Sequence, residues 1–553
     1  MKLSTIPQLA RHANRLREVV TILSKYGLAD WISRHEYEFA KGLLKARDGA
    51  VLVDGTTETR IRRALTDLGT TFIKVGQILS TRPDLAGPAL AAELSSLQCD
   101  APADPPSAVR STVEAELGGP LEDLFADFDV KPLASASIGQ VHKARLKNGE
   151  PVVVKVQHRG IENKVRTDLE IFLGMAELAE HVPDWRRYRP RATAQEFQRT
   201  LLRELDFCRE ERHLQQFASN FANDKTVRFP APYPELSTSR VLTMELLEGI
   251  KLVEPERLKA AGHDLEEIAR RGARVYLEMI FRDGFYHADP HPGNLLVLAD
   301  GAIGMLDCGM VGRLDERMRD HIEEMLLAIA NGDATQLTAI ITRVGFVPPE
   351  LDQAALSTDV AEFLSYYGGQ SLSQFNLSGA LTEMIEIIRR YQILLPAGIA
   401  LLIKVLIMLE GTSRLLNPKF SLIELIQPYQ RKLLWRRWSP SRQLKKARRL
   451  AHEWEHLAEA LPRGITDILQ QVETGRFYVH LEHKSMEPSV NRLVFGLLTS
   501  ALFVGSSLLW SFKVPPVIGE VSVLGAAGCV TSAVLAFRLL WAIRKSGHLD
   551  QRS

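Results

Sequence analysis

A short stretch of this chain places three polar residue types at separations that suit phosphate chemistry. Residues 287–309 read HADPHPGNLLVLADGAIGMLDCG: His287-Ala288-Asp289, then Asn294 five residues after the aspartate, then Asp307-Cys308-Gly309 beyond a hairpin signal. Protein kinases use the same spacing, H-R-D-x-x-x-x-N followed by D-F-G. Phosphoryl transfer needs a carboxylate beside the nucleophile and oxygen ligands for Mg²⁺, which takes few protein ligands and fills its shell with phosphate and water. Asp289 is therefore the candidate catalytic residue, and Asn294 and Asp307 are the candidate metal ligands. Any one of them alone would read as a turn or cap residue; the joint spacing carries the inference.

Such a site calls for a lysine on an upstream strand. Pro151-Val-Val-Val-Lys155-Val156 supplies one, an apolar β run with a single Lys like V-A-I-K. A phosphate-covering loop should precede it. The segment found there, Ala134-Ser135-Ala136-Ser137-Ile138-Gly139-Gln140, lacks the early glycines that let backbone N–H groups approach phosphates, so an ordinary kinase reading fails at this point. Downstream, Met244-Glu245-Leu246 lies on the strand VLTMELL, where a hinge between lobes would meet adenine.

These residues must be held by elements that the pattern also predicts. Helical spacing of apolar residues runs from residue 3 to about 47, and again from Thr57 to Leu97 with an interruption at Arg82-Pro83-Asp84. The proline-rich 101–109 marks a boundary. Residues 130–157 read as strand, tight loop, strand, Asn148-Gly149 turn, strand. Residues 160–220 and 264–282 read as helix, 241–247 as strand, and LLVL and IGML as two strands around Asp300-Gly301. From 313 to about 480 the pattern is almost wholly helical, and 395–409, with Lys404, reads as a core helix. Helices, then a small sheet, then a helical half predict an α+β protein with two lobes.

The bulk figures fit several unlike parts. The chain has 553 residues, 45% apolar and 24% charged, with 68 Lys+Arg against 67 Asp+Glu. Disordered and collagen-like classes are excluded, and near-neutral charge gives no sign of a nucleic-acid partner. Four scattered cysteines argue against a disulfide framework or structural zinc. The N-terminus lacks the apolar run of a secretory signal. Residues 493–512 carry no charge over twenty positions, and 521–537 form a second apolar run after KVPPVIGEV, which predicts a transmembrane hairpin. Nine Lys/Arg and no acidic residue lie between Arg431 and Arg449, with Trp435 and Trp438 among them, a composition suited to an anionic lipid surface. Arg492, Arg538, Arg544 and Lys545 outweigh Lys513, which orients both ends toward the cytoplasm.

Several motifs together resemble the UbiB family of atypical protein-kinase-like proteins, in its bacterial type. LGTTFIKVGQILSTRPDL (68–85) is similar to its KxGQ signature, PLASASIGQVHKA (132–144) to its Ala-rich loop, ELDFCRE (204–210) to its ExD motif and helix glutamate, HADPHPGN to its catalytic loop, and LEGTSRLLNPKF (409–420) to part of its helical lobe. Over roughly residues 15–425 the resemblance implies a protein-kinase-like two-lobed fold with a KxGQ-bearing helical extension (1–105), an N-lobe (106–250) and a helical C-lobe (251–430); composition adds a basic amphipathic segment (431–490) and a transmembrane hairpin (491–545). It implies that Lys155 pairs with Glu210, that Glu204 and Asp206 are the ExD carboxylates, and that Lys74, Gly76 and Gln77 are the KxGQ residues, with Lys74 reaching toward ExD. Ala134, Ser135, Ala136, Ser137 and Ile138, with Met244, Glu245 and Leu246, would line the nucleotide. The implied ligands are ATP or ADP with Mg²⁺. The implied role is ATPase support of ubiquinone or other isoprenoid-quinone biosynthesis at the inner membrane, with lipid quinone precursors and other biosynthetic proteins as partners and no nucleic acid. Ser135, in a loop that more often reads A-A-A-S, and Cys308, in place of the D-F-G phenylalanine, depart from the pattern. A protein kinase acting in trans and a non-catalytic nucleotide-binding scaffold are the alternatives.

Overall fold

The computed structural model describes residues 12–28, 55–97, 102–186, 188–368, 375–426, 487–518 and 521–545. Two compact units divide the chain at residues 439 and 440.

In the first unit, the Asn148-Gly149 turn, with Gly149 at φ +92°, closes a hairpin that seeds an antiparallel five-stranded sheet. The sheet contains β1 (Asp127–Phe128), β2 (Ala134–Ser135), β3 (Gly139–Arg145) and β4 (Pro151–Gln157), with β6 (Val241–Glu245) at the far edge. Alternation along β4 buries Val152, Val154 and Val156 against Val109, Val113 and Phe125 on one face. Val153 packs into the main core on the other face, and Lys155 points to the same side as Val153. Gly139 is required here, since a Cβ would stand 2.4 Å from the Val156 carbonyl oxygen.

A second sheet orders β5 (Val227–Arg228), β10 (Ile303–Met305), β9 (Leu295–Leu298) and β7 (Gly249–Lys251), with β5 parallel to β10. The Asp300-Gly301 turn joins β9 to β10, as the sequence predicts. β8 (Phe285–His287) pairs with β11 (Val311–Arg313), so His287 is strand-borne and not part of an irregular loop. Five helices between Glu316 and Leu416 surround a second core that includes Leu337, Leu356, Val360, Ile388 and Ala400.

The region Thr57–Ser95 is four helices, because Gly69 and Gly87, at φ +89° and +81°, break it in addition to the proline. Helix Thr70–Ser80 carries the KxGQ residues. Just after it, Arg82 and Asp84, both buried, form a two-pronged pair at 3.0 and 2.8 Å. Both also reach Leu395: Arg82 donates to its carbonyl at 3.2 Å, and its N–H donates to Asp84 at 3.1 Å. Farther upstream, Arg15 on helix Ala13–Lys25 donates to Asp168 at 2.7 Å and to the Leu68 carbonyl at 2.8 Å. The rest of the N-terminal helical stretch and the basic, Trp-bearing stretch 431–449 lie outside the described residues.

In the second unit, helices Glu487–Ser511 and Val523–Lys545 pack on each other. Gly525 makes the approach close: a Cβ there would stand 2.6 Å from the Trp510 nitrogen. Within them, Leu493–Ser511 and Val523–Trp541 have a mean hydropathy of 1.9 each and only 11% of either window is buried. Both are long and apolar enough to cross a membrane.

Candidate nucleotide site

Lys155 leaves the face of β4 and meets helix Phe207–Asn220, where its ammonium donates to Glu210 Oε2 at 2.8 Å. Asp307 Oδ2 stands 4.0 Å from the same nitrogen, and the Phe207 ring lies 5.2 Å away. Burial opposes the charge on Lys155, but Asp307 and Glu210 outweigh it and hold the amine protonated. In return the Lys155 ammonium holds the Asp307 carboxyl well below the usual carboxylate range, aided by the Gly309 N–H at 2.9 Å. Burial pushes Glu210 the other way, upward.

On the opposite side, Asn294 Nδ2 donates to Asp289 Oδ2 at 2.9 Å, which holds the carboxylate and leaves its second oxygen available. His287 ties the two motifs together. Its Nδ1 accepts the Asp289 N–H at 3.2 Å, so Nε2 carries the proton and donates to the Asp307 backbone carbonyl. The sequence displays His287, but no role follows from it until the tertiary partners are seen.

The KxGQ residues divide their work. Lys74 Nζ pairs with Glu204 Oε2 at 2.8 Å and lies within electrostatic reach of Asp307. Gly76 admits Leu97, whose Cδ1 would stand 2.5 Å from a Cβ, and Gln77 donates to the Leu97 carbonyl at 2.9 Å. Asp206 caps helix Phe207–Asn220 through the Cys208 N–H at 3.1 Å and stands 3.9 Å from Arg212. The ExD segment thus positions the helix that presents Glu210.

The segment expected to form a loop over phosphate is shorter than the sequence suggests. Ala134 and Ser135 pair with Val141 and Gln140, which leaves Ala136, Ser137 and Ile138 as the turn. Pairing across the sheet overrides the weak local pattern of small residues. His158 clasps the turn: its ring donates to the Ala136 carbonyl and its N–H to the Ile138 carbonyl, both at 2.9 Å. The Ser135 hydroxyl oxygen is buried without a hydrogen-bond partner. On β6, the N–H groups of Glu245 and Leu246 are donated to Ala231 and Pro151, and the Glu245 carboxylate holds Arg228 at 2.6 Å. Met244 is buried beneath them. Nucleotide recognition from this strand would therefore fall to backbone carbonyls and to the chain beyond Leu246.

The donor set fits Mg²⁺. Asp307 stays anionic, Asn294 adds an amide oxygen, and Glu210 Oε1 is a buried oxygen without a hydrogen-bond partner. Among the described residues no three His, Cys, Asp or Glu side chains gather as a self-sufficient metal centre, which a cation held largely by phosphates and water does not need.

One further group was hidden in the sequence. Lys404 lies on helix Ala397–Leu416, amid an apolar run that reads as core. Its ammonium donates to Ser80 Oγ at 3.4 Å, and Asp289 is the carboxylate that favours its charge. Burial nevertheless holds its pKa below the ordinary lysine value. The segment HADPHPGN itself contains neither Lys nor Arg, so Lys404 brings a cation within electrostatic reach of Asp289 from a different element.

This combination, a strand lysine paired with a helix glutamate facing an HxD…N and D-x-G pair, defines an atypical kinase-like protein. The family models agree: residues 96–341 match the ABC1 atypical kinase-like domain, 360–421 the UbiB helical domain, and 481–545 the ABC1/UbiB kinase-like C-terminal domain. A probable protein kinase UbiB of Aeromonas salmonicida is 32% identical over 530 residues, covering 93% of this chain and 97% of that protein. Its namesake in Aliivibrio fischeri is 30% identical over 94% and 96%, and an uncharacterized protein of Clostridium pasteurianum, from a hydrogenase 1 5′ region, is 29% identical over 97% and 99%. A solved Mycobacterium tuberculosis protein in complex with erythromycin aligns at 26% identity and a TM-score of 0.44, over 64% of this chain and 90% of that one. The chain belongs to the ABC1/UbiB family of atypical kinase-like proteins and carries its kinase-like fold.

Proposed function

We propose that this chain is a membrane-anchored, two-lobed kinase-like ATPase that binds ATP or ADP with Mg²⁺ and supports ubiquinone or related isoprenoid-quinone biosynthesis. The observation that carries the proposal is the Lys155–Glu210 pair at 2.8 Å with Asp307 at 4.0 Å from the same nitrogen. Lys155 is poised to exchange a carboxylate for nucleotide phosphates. Asp307 and Asn294 would hold Mg²⁺, which supplies charge neutralisation at the phosphates when bound. Asp289, held by Asn294 and His287, orients the attacking water and takes its proton. The water oxygen bonds to the γ-phosphorus as the bond to the ADP oxygen breaks. Lys404 adds positive charge on the side of Asp289, where it can meet the negative charge spread over the equatorial oxygens of the transferred group.

Support for the membrane part comes from the two apolar helices, from Arg492, Arg544 and Lys545 flanking them and from Arg538 in the last turn of the second span, which suits an inner-membrane anchor with the kinase-like body in the cytoplasm. Membrane lipids and quinone precursors are the proposed partners.

The test uses full-length chain in lipid vesicles. Mg²⁺-dependent nucleotide binding and ATP turnover that vanish in Asp307→Asn are expected. Absence of both in the unmodified chain refutes the reading, and transfer of labelled phosphate to an added protein would favour a kinase acting in trans. Accumulation of a quinone precursor after gene deletion checks the pathway.

A further inference from the structure

The helix that presents Glu210 also lines a second concavity. Arg209, Arg212 and His213 on Phe207–Asn220, together with Arg313 on β11, border a cavity of about 490 Å³. Three guanidinium groups line it and no carboxylate does. Among the described residues Arg209 and Arg313 make no ion pair; Arg313 sits 4.9 Å over the Phe285 ring, and Arg212 has Asp206 only at 3.9 Å. Elsewhere in this unit arginines such as Arg82, Arg110 and Arg282 hold carboxylates within 3 Å. Like charges gathered in a recess raise the local potential and attract an anion. Guanidinium forks match phosphate oxygens in pairs, and a recess of this volume takes a phosphate group with a modest substituent.

The recess is mechanically joined to the nucleotide site. His213, buried at its wall, donates from Nδ1 to the Cys308 carbonyl at 3.0 Å, directly after Asp307. Val311 of β11 pairs with His287, whose ring holds Asp289 and Asp307. One wall therefore carries Glu210 and the other follows Asp307.

We infer that this recess binds a phosphate group, as a soluble phosphate or as a phospholipid headgroup, and that its occupancy clamps helix Phe207–Asn220 to β11 and so sets Glu210 against Asp307. The clamp's effect on nucleotide rests on the function proposed above; the anion site itself does not.

The experiment uses full-length chain in phosphatidylcholine vesicles and measures phenylglyoxal modification of individual arginines by peptide mass spectrometry. Either added pyrophosphate or phosphatidylglycerol in the vesicles should slow modification of Arg209, Arg212 and Arg313 by about tenfold, the scale of a charge-assisted contact, while exposed Arg166 is unaffected. Protection by pyrophosphate identifies a soluble ligand, and protection by phosphatidylglycerol alone identifies a headgroup. Arg209→Gln combined with Arg313→Gln should abolish protection of Arg212 and remove the anion's effect on MgADP affinity, leaving anion-free MgADP affinity unchanged. No protection by either source, or full protection of Arg212 in the double variant, overturns the site. Protection in a chain that binds no MgADP upholds the site and refutes only the nucleotide reading.

Discussion

Lys404 donates its hydrogen bond to Ser80 Oγ at 3.4 Å, and the Ser80 hydroxyl in turn donates to the Gln77 carbonyl at 2.6 Å. A part-buried amine within electrostatic reach of Asp289 is thereby connected to the last turn of the KxGQ helix. An ammonium has three protons to donate, and the long bond to Ser80 leaves capacity for a phosphate oxygen.

Replacing Lys404 by Met should lower ATP turnover on the order of a hundredfold, with little change in MgADP affinity, because the charge meets the equatorial oxygens of the transferred group and not the diphosphate. Lys404→Arg should restore most of the rate. Steady-state kinetics and MgADP titration separate the two effects.

A pH profile adds a sign to that test. Burial lowers the Lys404 pKa, so its charge is present at low pH and lost, as pH rises, before that of an ordinary lysine. Turnover should fall along that alkaline limb. Lys404→Arg, charged throughout, should move the limb to higher pH; an unmoved limb would show that another group sets it.

The Arg82–Asp84 pair should behave differently from the exposed pairs. Asp84→Ala strips a buried guanidinium of its two-pronged partner, leaving it only Glu196 at 3.5 Å, and frees the Leu395 N–H, a loss of about 3 kcal/mol. Removing the exposed Arg166–Glu162 pair should cost about 0–1 kcal/mol. Urea titration of the two variants measures the contrast.

Gly139→Ala and Gly76→Ala should also separate. At Gly139 the obstacle is the backbone carbonyl of Val156, which cannot step aside without breaking the β3–β4 ladder. At Gly76 the obstacles are the ends of the Leu97 and Leu65 side chains, and overpacking of that kind costs about 1–3 kcal/mol. Soluble yield and thermal melting should rank Gly139→Ala as the more damaging.

Where candidate chemistry is written in local spacing, the sequence alone nominates its residues: Asp289, Asn294 and Asp307 stand in a single short segment, Lys155 on the strand that such a segment calls for, and folding brings Lys155 to 4.0 Å from Asp307 and Asn294 to 2.9 Å from Asp289. The hairpins at Asn148-Gly149 and Asp300-Gly301 were legible for the same reason, since turn chemistry is local. Lys404 was not legible, because nothing near it in sequence distinguishes it from a core-helix lysine until folding brings it within electrostatic reach of Asp289. The Arg209, Arg212 and Arg313 recess depends on two elements about a hundred residues apart. Ala134 and Ser135 were misread as loop because two-residue strands have no periodicity to detect, and only the partner strand makes them β.

The Arg82–Asp84 clasp has a consequence for how this molecule can be divided. It lies between the KxGQ helix and the helical half of the first unit, and both of its side chains hold Leu395, more than three hundred residues away along the chain. A truncation starting at residue 106 would therefore uncover a socket in the distant half, stripping Leu395 of two polar partners. The leading helices are thus an inseparable part of the folding unit, and gene fusions or shortened variants that begin after them would inherit an unfinished surface.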